Sequence, residues 1–81
     1  MTTPVNDDET LAAIARYIAD EGFAPSLRDL CAAMRLSSVS VASYRIKRLV
    51  NRGWITHRRG MPRAISITDA GWSRVAVKSA W

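Results

Sequence analysis

Two apolar stripes at helical spacing, over residues 27–34 and 39–50, are separated by little more than Arg35, Leu36 and a pair of serines. In the first, Leu27, Leu30, Cys31 and Met34 share one face of a helix of about two turns. In the second, Val39, Ala42, Ile46, Leu49 and Val50 form the inward side of a longer helix spanning 37–51. A short helix, a tight turn and a longer helix make a helix-turn-helix, and the rest of the chain has to build around it.

Start and stop signals support that division. Pro25 and Ser26 open the short helix, with Ser26 and Asp29 in a near capping box. Ser37 or Ser38 caps the longer helix, and Gly53 ends it. Upstream, Leu11, Ile14, Ala15 and Ile18 mark another amphipathic helix, with Asp7, Asp8 and Glu9 in the first turn where the helix dipole favours them. Gly22 stops that helix, and Phe23 is expected to turn back onto the core.

Downstream, "WITHRR" and "RAISIT" read as two strands, with Ile65 and Ile67 alternating inward and Ile55 facing them. "RGMPR" forms the hairpin tip. Thr68 and Asp69 cap a last helix, to about Ser79, with Trp72, Val75 and Ala76 on one side.

The predicted fold is therefore mainly α with a small β-hairpin, a winged helix-turn-helix of three helices, a two-stranded wing and a short C-terminal helix. Residues 1–6 form a flexible lead, 7–68 the domain and 69–81 a helical extension.

Length and composition bound the function. A chain of 81 residues with 48% apolar content is one small globular domain. No apolar run approaches the roughly 18 residues of a membrane span, and the acidic start is no secretory signal. The single cysteine, Cys31, suits a reducing cytoplasm and reads as a small buried hydrophobe. No Cys/His cluster offers a metal site, and no cofactor is implied. Paired carboxylates, a phosphate loop and a nucleophile elbow are missing, and His57 stands without triad partners, so no enzyme is read here.

Charge gives the sharper indication. Residues 1–25 hold five acids and one base, a balance of −4, whereas residues 26–81 hold eleven bases and two acids, a balance of +9. Between Arg45 and Arg63 seven Arg/Lys occur with no acid, the pattern of a phosphate-binding face.

A major groove admits one helix, with short side chains at the closest approach and cations where the strands pass alongside. The helix of residues 37–51 fits, since Ser37, Ser40, Val41, Tyr44, Arg48 and Asn51 lie opposite its buried stripe. Ser38, Ser40 and Ser43 offer hydroxyls, Val41 suits a thymine methyl group, and Tyr44 stacks or donates. Arg45, Lys47 and Arg48 are candidates for phosphates or a guanine. The wing adds Arg58, Arg59 and Arg63, suited to a narrow minor groove.

The run "GFAPSLRDLCAAMRLSSVSVASYRIKRLVNRGWI", followed by "RGMPRAISI", resembles the N-terminal DNA-binding domain of LexA-type repressors from Gly22 to Thr68. The resemblance implies that the third helix is the recognition helix, reading bases with Ser38, Ser40, Val41, Ser43 and Tyr44. It places Lys47, the second helix's start (Ser26 and Arg28) and the wing arginines on the backbone. Full-length members carry a self-cleaving peptidase domain. This chain stops 13 residues past Thr68, so autoproteolysis is expected to be absent. A small bacterial or phage regulator is the expectation, located in the cytoplasm at the bacterial nucleoid, or in host cytoplasm if phage-encoded.

One small module buries only about 600–1,000 Å² on DNA, which favours a homodimer on an inverted repeat. Trp72, Val75 and Trp81 are the candidate self-association residues. The expected partner is double-stranded DNA, with no membrane and no small-molecule ligand. Two other readings remain open: a phage or plasmid replication/excision accessory factor, and a winged-helix protein-interaction module.

Overall fold

The computed structural model describes residues 6–58, 60 and 64–79, with the backbone alone for 77–79. The elements run α1 (Asp7–Glu21), α2 (Leu27–Met34), α3 (Val39–Asn51), β1 (Ile55–His57), β2 (Ile65–Ile67) and α4 (Asp69–Ser79). The fold is a mainly helical winged helix-turn-helix, as the spacing predicts.

Local chemistry sets the boundaries. Asn6, assigned to the flexible lead from sequence, is the N-cap of α1, its side chain accepting from Glu9 N–H at 3.2 Å. At the other end Gly22 takes φ 82°, and its N–H donates to Ile18 O at 2.8 Å. The capping box of α2 is complete. Ser26 Oγ accepts from Asp29 N–H at 3.1 Å, and Asp29 Oδ2 accepts from Ser26 N–H at 3.0 Å.

The turn between α2 and α3 is built without glycine. Arg35 adopts φ 54°, Leu36 N–H donates to Cys31 O at 2.9 Å, and Arg35 N–H donates to Ala32 O at 3.4 Å. That is the Schellman pattern with an arginine in the left-handed position, a conformation costing about 1 kcal/mol or more for a residue with a Cβ. Ser38 then caps α3, its Oγ accepting from Val41 N–H at 3.3 Å. A second Schellman closure follows α3 at Gly53, with Trp54 N–H to Leu49 O at 3.1 Å.

The three-helix core contains Leu11 and Ile14 of α1, Leu30 of α2, and Ala42, Ile46 and Leu49 of α3, closed from the wing side by Ile55 and Ile65. Burying each larger side chain contributes about 1.5–3 kcal/mol. The two strands pair antiparallel with Ile55 opposite Ile67 and His57 opposite Ile65. Helix α4 packs against α1 and β2, with Thr68 Oγ1 accepting from Gly71 N–H at 3.1 Å.

Three inward assignments do not hold. Phe23 is exposed and meets Tyr17 edge-to-face at 6.0 Å instead of returning to the core. Val39 and Val50 are also exposed. Val39 is the first residue of α3, a turn ahead of the buried Ala42, so the stripe begins one turn late. Val50 sits 100° round from Leu49 and faces the wing instead. In α2 only Leu30 is fully buried, while Leu27, Cys31 and Met34 pack half-buried against the core.

Candidate nucleic-acid interface

The N-terminal half of α3 stands clear of the core. Ser37, Ser38, Val39, Ser40, Ser43 and Tyr44 are exposed, while Val41 is half-buried. The side chain of Ser38 is engaged as the N-cap, and its carbonyl accepts from Cys31 Sγ at 3.2 Å. Ser40 and Ser43 therefore present short hydroxyls beside an open tyrosine ring, on a helix end held to α2 through the capped turn.

The cations beside this face divide into two groups. On the wing side, Lys47 is exposed and lines a hollow of about 260 Å³ with Ser43, Ile46, Val50 and His57. Arg58 is exposed at the end of β1, its N–H donating to Ala64 O at 3.4 Å. Arg28 is exposed near the start of α2, while Ser26 is half-buried. Among the described residues none of Arg28, Lys47 and Arg58 has an acidic partner within ion-pair distance. Arg59 and Arg63 of the wing lie outside the described residues.

The second group turns towards α1. Arg48 donates to Asp7 through Nε at 2.9 Å and Nη2 at 3.1 Å, and Nη1 reaches Tyr44 Oη at 3.5 Å. Arg52 Nε donates to the same carboxylate at 2.6 Å. Arg45 Nη1 reaches Thr10 Oγ1 at 3.4 Å, and its Nε is buried with no partner among the described residues. Two of the acid-free block's arginines are thus paired with an acid from the far end of the sequence.

On this flank one carboxylate is shared by two guanidiniums. The hydrogen bond from Arg48 holds the Asp7 carboxyl below the usual carboxylate range; burial opposes that, and Arg52 reinforces it. The Asp7 side chain is 5% exposed, so its charge is compensated inside the fold. Asp8 similarly receives Arg74 of α4 through Nε at 2.6 Å and Nη2 at 2.9 Å. Arg52 and Arg74 lie over the Trp54 ring at 4.9 and 5.4 Å.

Asp7 and Thr10 are absent from the sequence-derived site. A signal existed for Asp7: stepping back one turn from Leu11, Ile14 and Ile18 puts it on the buried stripe, where a carboxylate needs a cation. Of the candidate self-association residues, Trp72 is exposed, Val75 packs half-buried against the chain's own core, and Trp81 lies outside the described residues. Among the described residues no cluster of His, Cys, Asp or Glu is arranged to hold a metal ion, and no helix is long and apolar enough to cross a membrane.

A family model described as the LexA DNA binding domain matches residues 6–64. The chain is similar to the LexA repressor of Lactobacillus helveticus (strain DPC 4571), 38% identical over 77 residues, covering 90% of this chain and 37% of the relative. The LexA repressor of Lactobacillus acidophilus is 36% identical over the same length, with the same coverage. That of Limosilactobacillus reuteri (strain DSM 20016) is 35% identical over 65 residues, covering 80% of this chain and 31% of the relative. The chain spans about a third of the length of these relatives.

Proposed function

Because the chain belongs to the LexA DNA-binding domain family, we propose that it is a sequence-specific double-stranded DNA-binding regulator that represses transcription by occupying a promoter. The observation that carries the reading is the exposed start of α3, where Ser40, Ser43 and Tyr44 stand out from the core beside Lys47. Helix α3 enters the major groove, with Ser38, Ser40, Val41, Ser43 and Tyr44 towards base edges. Short hydroxyls and one valine let the helix approach closely, and they discriminate by hydrogen bonds and methyl contacts.

Lys47, the start of α2 at Ser26 and Arg28, and the wing arginines Arg58, Arg59 and Arg63 meet the phosphate backbone or the flanking minor groove. With about five such contacts, log K falls against log salt with a slope near −4.5. A rise from about 50 to 200 mM salt then weakens binding roughly 500-fold. One module of this size reads too few base pairs for tight selection, so two copies bind an inverted repeat.

Selection from random duplexes with the purified protein tests all of this. The expected result is an inverted repeat whose half-sites lie about 10 base pairs, or a multiple, apart. Changing Ser40 or Val41 relaxes the sequence choice, whereas Arg59→Ala weakens selected and random duplexes alike. No enriched sequence, with strongly salt-dependent binding retained, points to an architectural or replication accessory role. Salt-insensitive binding points to a protein-interaction module.

A further inference from the structure

We propose that Asp7 is a positioning residue for DNA discrimination: its carboxylate withholds the Arg48 guanidinium from phosphates and so lowers sequence-independent affinity. The inference rests on the DNA-binding reading above and assigns a part in it to a residue of α1 outside the helix-turn-helix.

Arg48 lies on the same side of α3 as Val41 and Tyr44, and its side chain is 38% exposed, within reach of a duplex seated on that helix. Its Nε–Nη2 edge, the one that matches a phosphate bidentately, is filled by Asp7 at 2.9 and 3.1 Å. A third donor reaches Tyr44 Oη at 3.5 Å, and the guanidinium carbon stands 5.9 Å from the tyrosine ring centroid. Arg52, one turn on, is held by the same carboxylate at 2.6 Å and by the Trp54 face at 4.9 Å. The lowered titration range of Asp7 agrees with a charge that stays in place.

This matters because random DNA is bound through phosphates, with each neutralised phosphate adding about 0.9 to the salt slope. Selectivity is the difference between the matched site and everything else. A carboxylate fixed inside the fold removes a cation from the common term while leaving the hydroxyls of Ser40 and Ser43 untouched. On the opposite flank Lys47 and Arg58 remain available, so encounter is still steered.

The test is the salt dependence of a selected and a random duplex of equal length, measured for wild type, Asp7→Asn, Arg48→Gln and the double variant. Asp7→Asn is expected to steepen the random-duplex slope by about 0.9 for each arginine released. For one arginine, its gain over wild type is about 3.5-fold larger at 50 than at 200 mM salt, and the selected-to-random ratio falls. Arg48→Gln is expected to leave random binding within about twofold when Asp7 is present and to remove about 0.9 of the added slope when it is not. Parallel slopes for wild type and Asp7→Asn overturn the inference, as does equal weakening by Arg48→Gln in both backgrounds.

Should Asp7→Asn lose its helical circular dichroism, Arg48→Gln in the wild-type background decides: an unchanged slope supports the withholding, and a shallower one overturns it. Wild-type protein that binds neither duplex refutes the DNA-binding reading instead.

Discussion

Replacing Gly71 by alanine sets helix propensity against packing. Glycine to alanine inside an exposed helix gains about 1 kcal/mol. Gly71 is buried in the first turn of α4, and a Cβ there would run into the carbonyl oxygen of Trp54 and come within 2.7 Å of Ile67 Cγ2. That carbonyl has no room to withdraw. It accepts from Thr68 N–H at 2.9 Å, and the N–H of Trp54 itself donates to Leu49 O at 3.1 Å. Helix α4 has to lift, straining the Arg74–Asp8 pair and the Val75 contact with the core. A clash with anchored backbone belongs at or above the upper end of the 1–3 kcal/mol range for overpacking. After the propensity gain, about 2 kcal/mol is lost, a fall of roughly 8–16 °C in melting temperature for a domain this small. Thermal unfolding followed by circular dichroism measures it. Gly53→Ala, where the added atom meets open space but φ is +77°, is expected to lose only the handedness cost of about 1–2 kcal/mol. Gly71→Ala melting at or above wild type would refute the packing argument.

Further outcomes follow from the caps and charges. Ser38→Ala removes the acceptor for Val41 N–H and is expected to cost about 1 kcal/mol by urea titration; an unchanged midpoint contradicts the assigned cap. Asp7 titrates lower folded than unfolded, so its contribution is complete above the unfolded carboxylate range and disappears as pH falls through the folded value. Wild type should therefore lose stability in acid more steeply than Asp7→Asn, and coincident profiles of urea midpoint against pH would sink that assignment. If the exposed Trp72 carries the contact between two copies, Trp72→Lys shifts the protein towards monomer in sedimentation velocity on the duplex-bound sample; equal assembly of both proteins excludes that surface.

The elements were legible because their ends carry strong local chemistry. Gly22, the Ser26–Asp29 box, Ser38 and Gly53 each satisfy or terminate a helix through neighbours a few residues away, information a sequence displays directly. The same spacing identified Leu11, Ile14, Leu30, Ala42, Ile46 and Leu49 as core. Errors fell where the answer depends on what lies opposite. Val39 has the right periodicity but sits beyond the covered part of α3, and Phe23 finds Tyr17 before it finds the core. Gly71 carries no turn signal, since its need is for space against Trp54 and not for a positive φ. The site was half legible. The short hydroxyls at the start of α3 could be placed by helical geometry, whereas the fate of Arg45, Arg48 and Arg52 depended on Asp7 and Thr10, at least 35 positions away.

That separation changes what the charge pattern means. Along the chain, an acidic start and an acid-free basic block suggest one negative and one positive region. In space, α1 lies against α3, so one of those acids, Asp7, is delivered to a flank of the basic helix. Around α3, Lys47 and Arg58 on the wing side are thus without an acidic partner among the described residues, whereas Arg48 and Arg52 on the other side share one carboxylate. On the proposed reading, Lys47 and Arg58, which have no acidic partner among the described residues, exchange for condensed counterions when a duplex approaches from the wing side. The face between the flanks carries hydroxyls, a valine and a tyrosine, all of them uncharged. On the proposed reading affinity and selectivity fall to different residues, and the partition is made by a carboxylate that the sequence places 41 residues from the arginine it holds.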